Sequence, residues 1–235
     1  MTERHSDHPA SDTLSASPDL PNRGLFPLVD DHLVLPEITR DEIINGRSVV
    51  ALPAEPNRAT WHGDLLYVLR AYVAPGYCGA ADLLTRQGER SDFSTDVCIF
   101  KGGIDPATGT RYLEEVTFEV VSEHGERDVT EKAEEMHRRG VRRIFAVFVE
   151  GPRLCEWSPE AQSWRPLEAD SLIEDRCLVT PLAVAALLDA DQADNAVLDA
   201  LIAKRNPLIM NWLAAAEARG EAKGKAVTGA GSNPA

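Results

Sequence analysis

No stretch of the chain approaches the roughly 20 apolar residues of a membrane-spanning helix, and the N-terminus lacks the basic start and apolar run of a signal peptide. Neither a membrane span nor export is expected. Cysteine is scarce and dispersed. Cys78, Cys98, Cys155 and Cys177 form no Cys-x-x-Cys pair, which excludes a zinc ribbon or a dithiol redox centre and fits reduced thiols in the cytoplasm. Basic residues are in deficit, 24 Lys and Arg against 38 Asp and Glu, for a net charge of −14. A protein that coats nucleic acid by bulk electrostatics is excluded, since phosphate contacts need cations. The glycines of Lys101-Gly-Gly-Ile-Asp-Pro-Ala-Thr-Gly109 fit no phosphate-loop spacing, which leaves Lys101 as a surface lysine with at most a phosphate contact, and no internal repeat is present. What remains is ordinary globular material: 235 residues, 43% hydrophobic and 26% charged, enough for one core with appendages.

The stretch from Asp96 to Glu150 is the most structured part of the pattern. Thr95 to Phe100 and Tyr112 to Val121 alternate as strands, Asp128 to Arg139 is amphipathic at helical spacing, and Val141 to Val149 is an apolar strand. Alternation puts Val116, Phe118 and Val120 on one face and Glu115, Thr117, Glu119 and Val121 on the other. In the preceding strand Asp96 points away from Val97 and Ile99, so Asp96 and Glu119 can share one cleft. Two carboxylates that close repel, and a hard divalent cation relieves the repulsion. On the helix, Val129, Ala133 and Met136 form the apolar stripe and Lys132 lies on its flank, where an ammonium can lean over the sheet toward a phosphoryl oxygen or an attacking water.

Elsewhere, residues 1–31 read as a disordered tail, in which His5, Asp7 and His8 are either solvated or metal ligands. Thr39-Arg-Asp-Glu predicts a capping box opening a turn or helix through Ile44, followed by a strand from Ser48 to Leu52. Asn57 to Val73 is an amphipathic helix with Asn57 as its cap and Trp61, Leu65, Val68, Leu69 and Tyr72 on one stripe. His62 lies beside that stripe, either packed and hydrogen-bonded or assisting at the cleft, and Asp64 is either solvated or an extra ligand. A strand from Ala80 to Arg86 and a polar hairpin loop from Gln87 to Ser94 lead to Asp96. Glu123 and His124 occupy a loop that either reaches the chemistry or turns in solvent. Arg138, Arg139, Arg142 and Arg143 either meet phosphate or pair with nearby carboxylates. Leu154 to Trp157 and Ser163 to Arg165 form a hairpin in which Trp157 and Trp164 pack across strands or offer stacking platforms. Helices follow from Pro181 to Leu188, Asp194 to Ala203 and Pro207 to Ala218, the last with Ile209, Trp212 and Leu213 as apolar contacts. These helices pack on the core or on a second copy of the chain, giving a homodimer. The expected division is therefore a tail at 1–31, a core at 32–188, C-terminal helices at 189–219 and a disordered tail at 220–235.

Asp96, then Glu119-Val120-Val121-Ser122, then Asp128 and Lys132, then Gly140-Val141 resemble the PD-(D/E)XK nuclease superfamily, and within it the bacterial Uma-two-like branch of restriction-endonuclease relatives. The resemblance covers the middle two thirds of the chain. It implies an α/β (α+β) restriction-endonuclease-like core, a mixed central sheet flanked by helices with a C-terminal helical extension. It also implies a Mg2+ or Mn2+ ion on Asp96, Glu119 and the Val120 carbonyl, Lys132 as the catalytic lysine and DNA as substrate. Val121 stands where the superfamily signature has its lysine, so that role passes to Lys132 on the helix. Two functions follow: a Mg2+-dependent endonuclease hydrolysing phosphodiester bonds with Asp96, Glu119 and Lys132, helped by His62 or His124, or a degenerate nuclease fold that serves as a binding or assembly module.

Overall fold

A computed structural model describes residues 26–33, 41–50, 56–122 and 125–229. His5, Asp7, His8, Thr39, Glu123 and His124 lie outside the described residues.

The first regular elements form a hairpin of β1 (Asp41–Ile44), where a turn or helix was expected, and β2 (Arg47–Val50), within the expected strand region. The reason lies in Asn45-Gly46, held at φ 50° and 80°. Two successive left-handed residues make the two-residue turn whose twist matches paired strands, which sets Asp41–Ile44 as a strand. Helix α1 (Pro56–Tyr72) follows. Proline at the first helical position needs no backbone N–H there, so the helix starts before Asn57, which sits inside the first turn and is not its cap. Strands β3 (Tyr77–Gly88) and β4 (Ser91–Lys101) then pair over nearly their whole length, with Gly88 opposite Ser91. The expected polar loop from Gln87 to Ser94 is thus mostly strand, closed by Glu89 and Arg90 alone.

The next three elements are β5 (Glu114–Val121), α2 (Glu126–Arg139) and β6 (Arg143–Phe148). β5 and β6 run parallel, and α2 is the crossover that parallel neighbours require. Gly140, at φ 115°, ends α2 and donates its N–H to the Met136 and His137 carbonyls. An antiparallel hairpin of β7 (Arg153–Ser158) and β8 (Ser163–Pro166) extends the sheet, with Trp157 opposite Trp164 and their ring centroids 5.3 Å apart. The tryptophans pack on each other as cross-strand partners. Beyond them come the short pair β9 (Leu172–Ile173) and β10 (Leu182–Ala183) and a 3-10 turn at Val184–Leu187, in place of the helix expected from Pro181. Helix α3 (Ala190–Ala203) starts earlier than expected because the Asp189 side chain accepts from the Asp191 N–H. Helix α4 (Pro207–Gly229) continues past the expected end at Ala218.

The large sheet has the order β2-β1-β4-β5-β6-β7-β8, with β3 on β4 as well. One face is covered by α1 and α3, where Leu65, Val68, Leu69 and Tyr72 meet Val97, Ile99, Val116, Phe118 and Val120 in a single core. The other face lies under α2. Residues 26–31 were expected in the tail, yet with His32 and Leu33 they dock on the sheet: Val29 is buried, its carbonyl accepts from the Arg86 N–H, and His32 and the Leu33 N–H both reach Asp92. In α4, of the three expected apolar contacts, Ile209 is buried within the chain, while Trp212 and Leu213 are exposed.

Candidate active site

Strand β4 has two partners on one edge. β1 pairs with it at Asp92, and β5 pairs with it from Val97 to Phe100. Between them a short length of edge has no strand to bond to among the described residues, and backbone N–H and C=O groups that lose a ladder partner must find another. The four groups of Ser94 and Asp96 are answered by four side chains. The Ser94 N–H donates to Glu42 Oε1 (3.0 Å), and the Ser94 carbonyl accepts from Lys132 Nζ (3.1 Å). The Asp96 N–H donates to Glu119 Oε1 (3.4 Å), and the Asp96 carbonyl takes His62 Nε2 (2.6 Å). Across the gap, the Val120 N–H of β5 donates to Asp96 Oδ2 (2.7 Å), which sets the Val120 peptide against the carboxylate. A fork in the ladder has become a cluster of ionisable groups.

Each side chain arrives for a local reason. Glu119 is on the face of β5 opposite Val116, Phe118 and Val120, as alternation required, yet it is buried there because α2 covers it. Lys132 lies in α2 between Val129 and Ala133, so burying that stripe buries the lysine with it. Its ammonium is 2.8 Å from Glu42 Oε2 and 3.8 Å from Glu119 Oε2, and it sits over the Phe93 ring. Arg58, from the first turns of α1, is 3.2 and 3.4 Å from the two Asp96 oxygens.

Burial pushes the Glu119 carboxyl well above the usual carboxylate range; Lys132 opposes that shift, and Asp96 and Glu42 add to it. Burial works against the Lys132 ammonium, but Glu119, Glu42 and Asp96 together hold its pKa above the usual value, so it stays charged. Four carboxylates, those of Glu42, Asp82, Asp96 and Glu119, surround the fork, and the cations paired into it are Lys132 and Arg58. With all groups ionised, two negative charges are left over. Oxygen donors with that excess fit a hard divalent cation, which would take the place of the proton that burial favours on Glu119.

The structure therefore brings Asp96, Glu119 and Lys132 together and adds His62 through a backbone carbonyl. It does not bring in Asp64, which is exposed, or Asp128, which pairs with Arg47 at 2.6 Å and ties α2 to the β1–β2 hairpin. Lys101 lies over the Tyr112 ring. The arginine cluster is neutralised: Arg138 by Glu135, Arg142 by Asp175 and Glu115, and Arg143 by Glu156. Arg139 stacks on Phe26 and donates to the Pro27 carbonyl. Sequence reasoning missed Glu42, Arg58 and Asp82. The Asn45-Gly46 turn was the signal that placed Glu42 on a strand; Arg58 and Asp82 carry no signal outside the fold.

The family described as Uma2, "Putative restriction endonuclease", matches residues 29–185, well over half of the chain. The chain belongs to that family. Among solved structures, a putative nuclease from Anabaena variabilis matches with a TM-score of 0.52, over 63% of this chain and 89% of that one, at 14% identity. That likeness shows the fold, a restriction-endonuclease-like mixed sheet between helices. No curated protein matches the chain. The family match spans Glu42, His62, Asp96, Glu119 and Lys132 alike, so the whole fork belongs to the Uma2 region, while α3 and α4 lie beyond it.

Proposed function

We propose that the chain is a Mg2+- or Mn2+-dependent endonuclease that hydrolyses DNA phosphodiester bonds at the β4–β5 fork. The observation that carries this reading is the convergence of Asp96, Glu119 and a buried, charged lysine on one gap in the ladder. Asp96, Glu119 and the Val120 carbonyl would hold the ion. When bound, the ion supplies an activated water and neutralises charge on the phosphoryl group.

The chain's own groups do the positioning. Glu42 grips the Lys132 amine at 2.8 Å and anchors itself on the Ser94 N–H, so the ammonium points at Glu119 instead of wandering in solvent. An ammonium fixed in a partly dry cleft stabilises a developing oxyanion more strongly than one in water. Lys132 fills the role that Val121 leaves vacant in the strand. His62 steadies the Asp96 backbone, and Arg58, half-exposed at the rim beside Asp96, would be placed to meet a phosphate at the cleft. A chain of net charge −14 makes few phosphate contacts, so the reading includes weak, local engagement of DNA.

Among the described residues no helix is long and apolar enough to cross a membrane, and the four cysteines are free, in keeping with a cytoplasmic site of action. Leu208, Trp212 and Leu213 of α4 are exposed and offer the face on which a homodimer would close.

The deciding experiment is plasmid nicking in Mg2+ and in Mn2+ by the wild type, Lys132→Ala and Asp96→Ala. Nicking by the wild type that falls at least about a hundredfold in both variants supports the reading. A wild type that binds Mg2+ calorimetrically but nicks nothing, or variants that nick as well as it does, overturns it.

A further inference from the structure

We propose that α4 of one copy of the chain lies across α3 of a second copy, so that two chains exchange their last helices about a two-fold axis. The inference rests on the homodimer of the proposed function and names the surface that α4 meets; it does not depend on the chemistry at the fork. Both helices lie beyond the Uma2 match, which ends at residue 185.

Helix α4 leaves the body in a built direction. Arg205, at φ 55°, takes the left-handed conformation that ends helices, and the N–H groups of Arg205 and Asn206 return to the Ile202 and Leu201 carbonyls. The Asn206 side chain then caps α4, accepting from the Leu208 and Ile209 N–H groups at 3.1 and 3.4 Å. Ile209 is buried, but all nine residues from Asn211 to Arg219 are exposed. They make about two and a half turns with no covered stripe, although Trp212 and Leu213 are among them. A surface helix buries one face, and a helix without tertiary packing is marginal in water. Helix α3 shows the matching deficit, for its Leu198 and Ile202 are exposed as well. Exposed apolar groups gathered on two successive helices mark an interaction surface.

Charge names the partner. Helix α3 and its cap carry Asp189, Asp191, Asp194 and Asp199 and no basic residue, whereas residues 201–235 hold 5 Lys and Arg against 2 Asp and Glu in a chain of net charge −14. The basic residues Arg219, Lys223 and Lys225 come after the exposed apolar ones in α4. With α4 antiparallel to the partner's helix α3 and Trp212 set between Leu198 and Ile202, equal rise per residue brings Arg219 abreast of Asp194 and Lys223 abreast of Asp189. Within one chain this contact is not made, since both surfaces are exposed. Two copies make it twice, which is how a two-fold interface closes. Trp212 supplies the anchor, and the exposed ion pairs, individually weak, set the direction in which the helices cross.

The test is sedimentation velocity of the full chain over a dilution series. Trp212, Asp191, Asp194 and Arg219 are exposed, so replacing them spares the core. The wild type is expected to dimerise, and Trp212→Ser to weaken the dimer about a hundredfold. Reversing charge on α3 (Asp191→Lys with Asp194→Lys) or on α4 (Arg219→Glu with Lys223→Glu) is expected to weaken it about tenfold, and all four changes in one chain to restore it. A dimer as tight in Trp212→Ser as in the wild type, or charge reversals that do not rescue each other, overturns the inference and leaves the homodimer to another face. A wild type that stays monomeric overturns both, and a loss of duplex affinity in the α4 reversal would then give α4 to DNA. Mg2+ affinity is expected to be the same in every variant, so a failure of the nuclease reading is seen separately.

Discussion

On the face of the central sheet that packs against α1 and α3, Val97, Ile99, Val116, Phe118 and Val120 join the helices in one continuous apolar cluster. On the face under α2 the apolar residues fall into two separate clusters, one around Val129, Ala146 and Phe148 and one around Ala133, Met136 and Phe93. Glu119 and Lys132 occupy the strand and helix positions between them, and the Thr117 hydroxyl, also buried, has no hydrogen-bond partner among the described residues. The same β5 thus serves both faces, one residue apart. The first face supplies stability that scales with buried area, while the second gives up part of that stability to keep charges in a low-dielectric cleft. Strand alternation is what lets one segment do both.

That contrast can be broken most severely from the apolar side. Phe118 is fully buried and stacks on Phe145 at a centroid distance of 4.8 Å. Phe118→Ala should cost about 3–5 kcal/mol, read from urea unfolding of wild type and variant, and a loss under 1 kcal/mol would mean that the core closes around the cavity. Glu119→Gln, one residue along the strand, should behave oppositely. Without metal it should unfold at or above the wild-type temperature, since the carboxyl it replaces resists ionisation where it sits. Mg2+ at a hundred times its Kd should stabilise the wild type by about 2.7 kcal/mol and this variant by nothing, as thermal melts with and without the ion would reveal.

Away from both faces, Asp175 receives Arg142 at 2.8 Å through both of its oxygens and also accepts from the Cys177 N–H. Burial alone would raise its pKa, but those bonds and the Arg142 charge outweigh it, and the folded value lies below the usual 3.8. The sign follows: the unfolded chain binds the proton more readily, so this contribution is complete above pH 3.8 and is lost as pH falls toward the folded value. Asp175→Asn should cost about 2 kcal/mol at neutral pH and flatten the acid limb of a stability profile between pH 5 and 2, whereas an unchanged acid limb would assign that slope to other carboxylates. The mildest expected change is Trp164→Ala, which removes the cross-strand partner of Trp157 and the indole bond to Thr130 at the sheet's far edge. It should cost about 1 kcal/mol in denaturant and leave divalent-ion binding untouched in calorimetry.

The elements that could be read in advance are those whose period is written in adjacent residues. β5, α2 and β6 follow from alternation and from the Val129, Ala133, Met136 spacing, and the pairing of Trp157 with Trp164 follows from two short apolar runs around a turn. Where two local signals competed the reading failed, as at Asp41 to Ile44, where a turn or helix was expected and the Asn45-Gly46 turn that follows directly makes a strand. It also failed where chain already paired looks polar, as in Gln87 to Ser94, because Ser91, Asp92 and Ser94 serve an edge and not a solvent face.

Asp96, Glu119 and Lys132 were within reach of the linear chain because their facing is a matter of parity and helical angle. Glu42, Arg58 and Asp82 were not. Their place depends on which strand stops pairing with β4 and where, a property of register between segments up to about fifty residues apart. Local sequence sets the direction in which a side chain leaves its own backbone; only the assembled sheet decides which backbone groups are left without partners, and therefore which charges must gather to answer them.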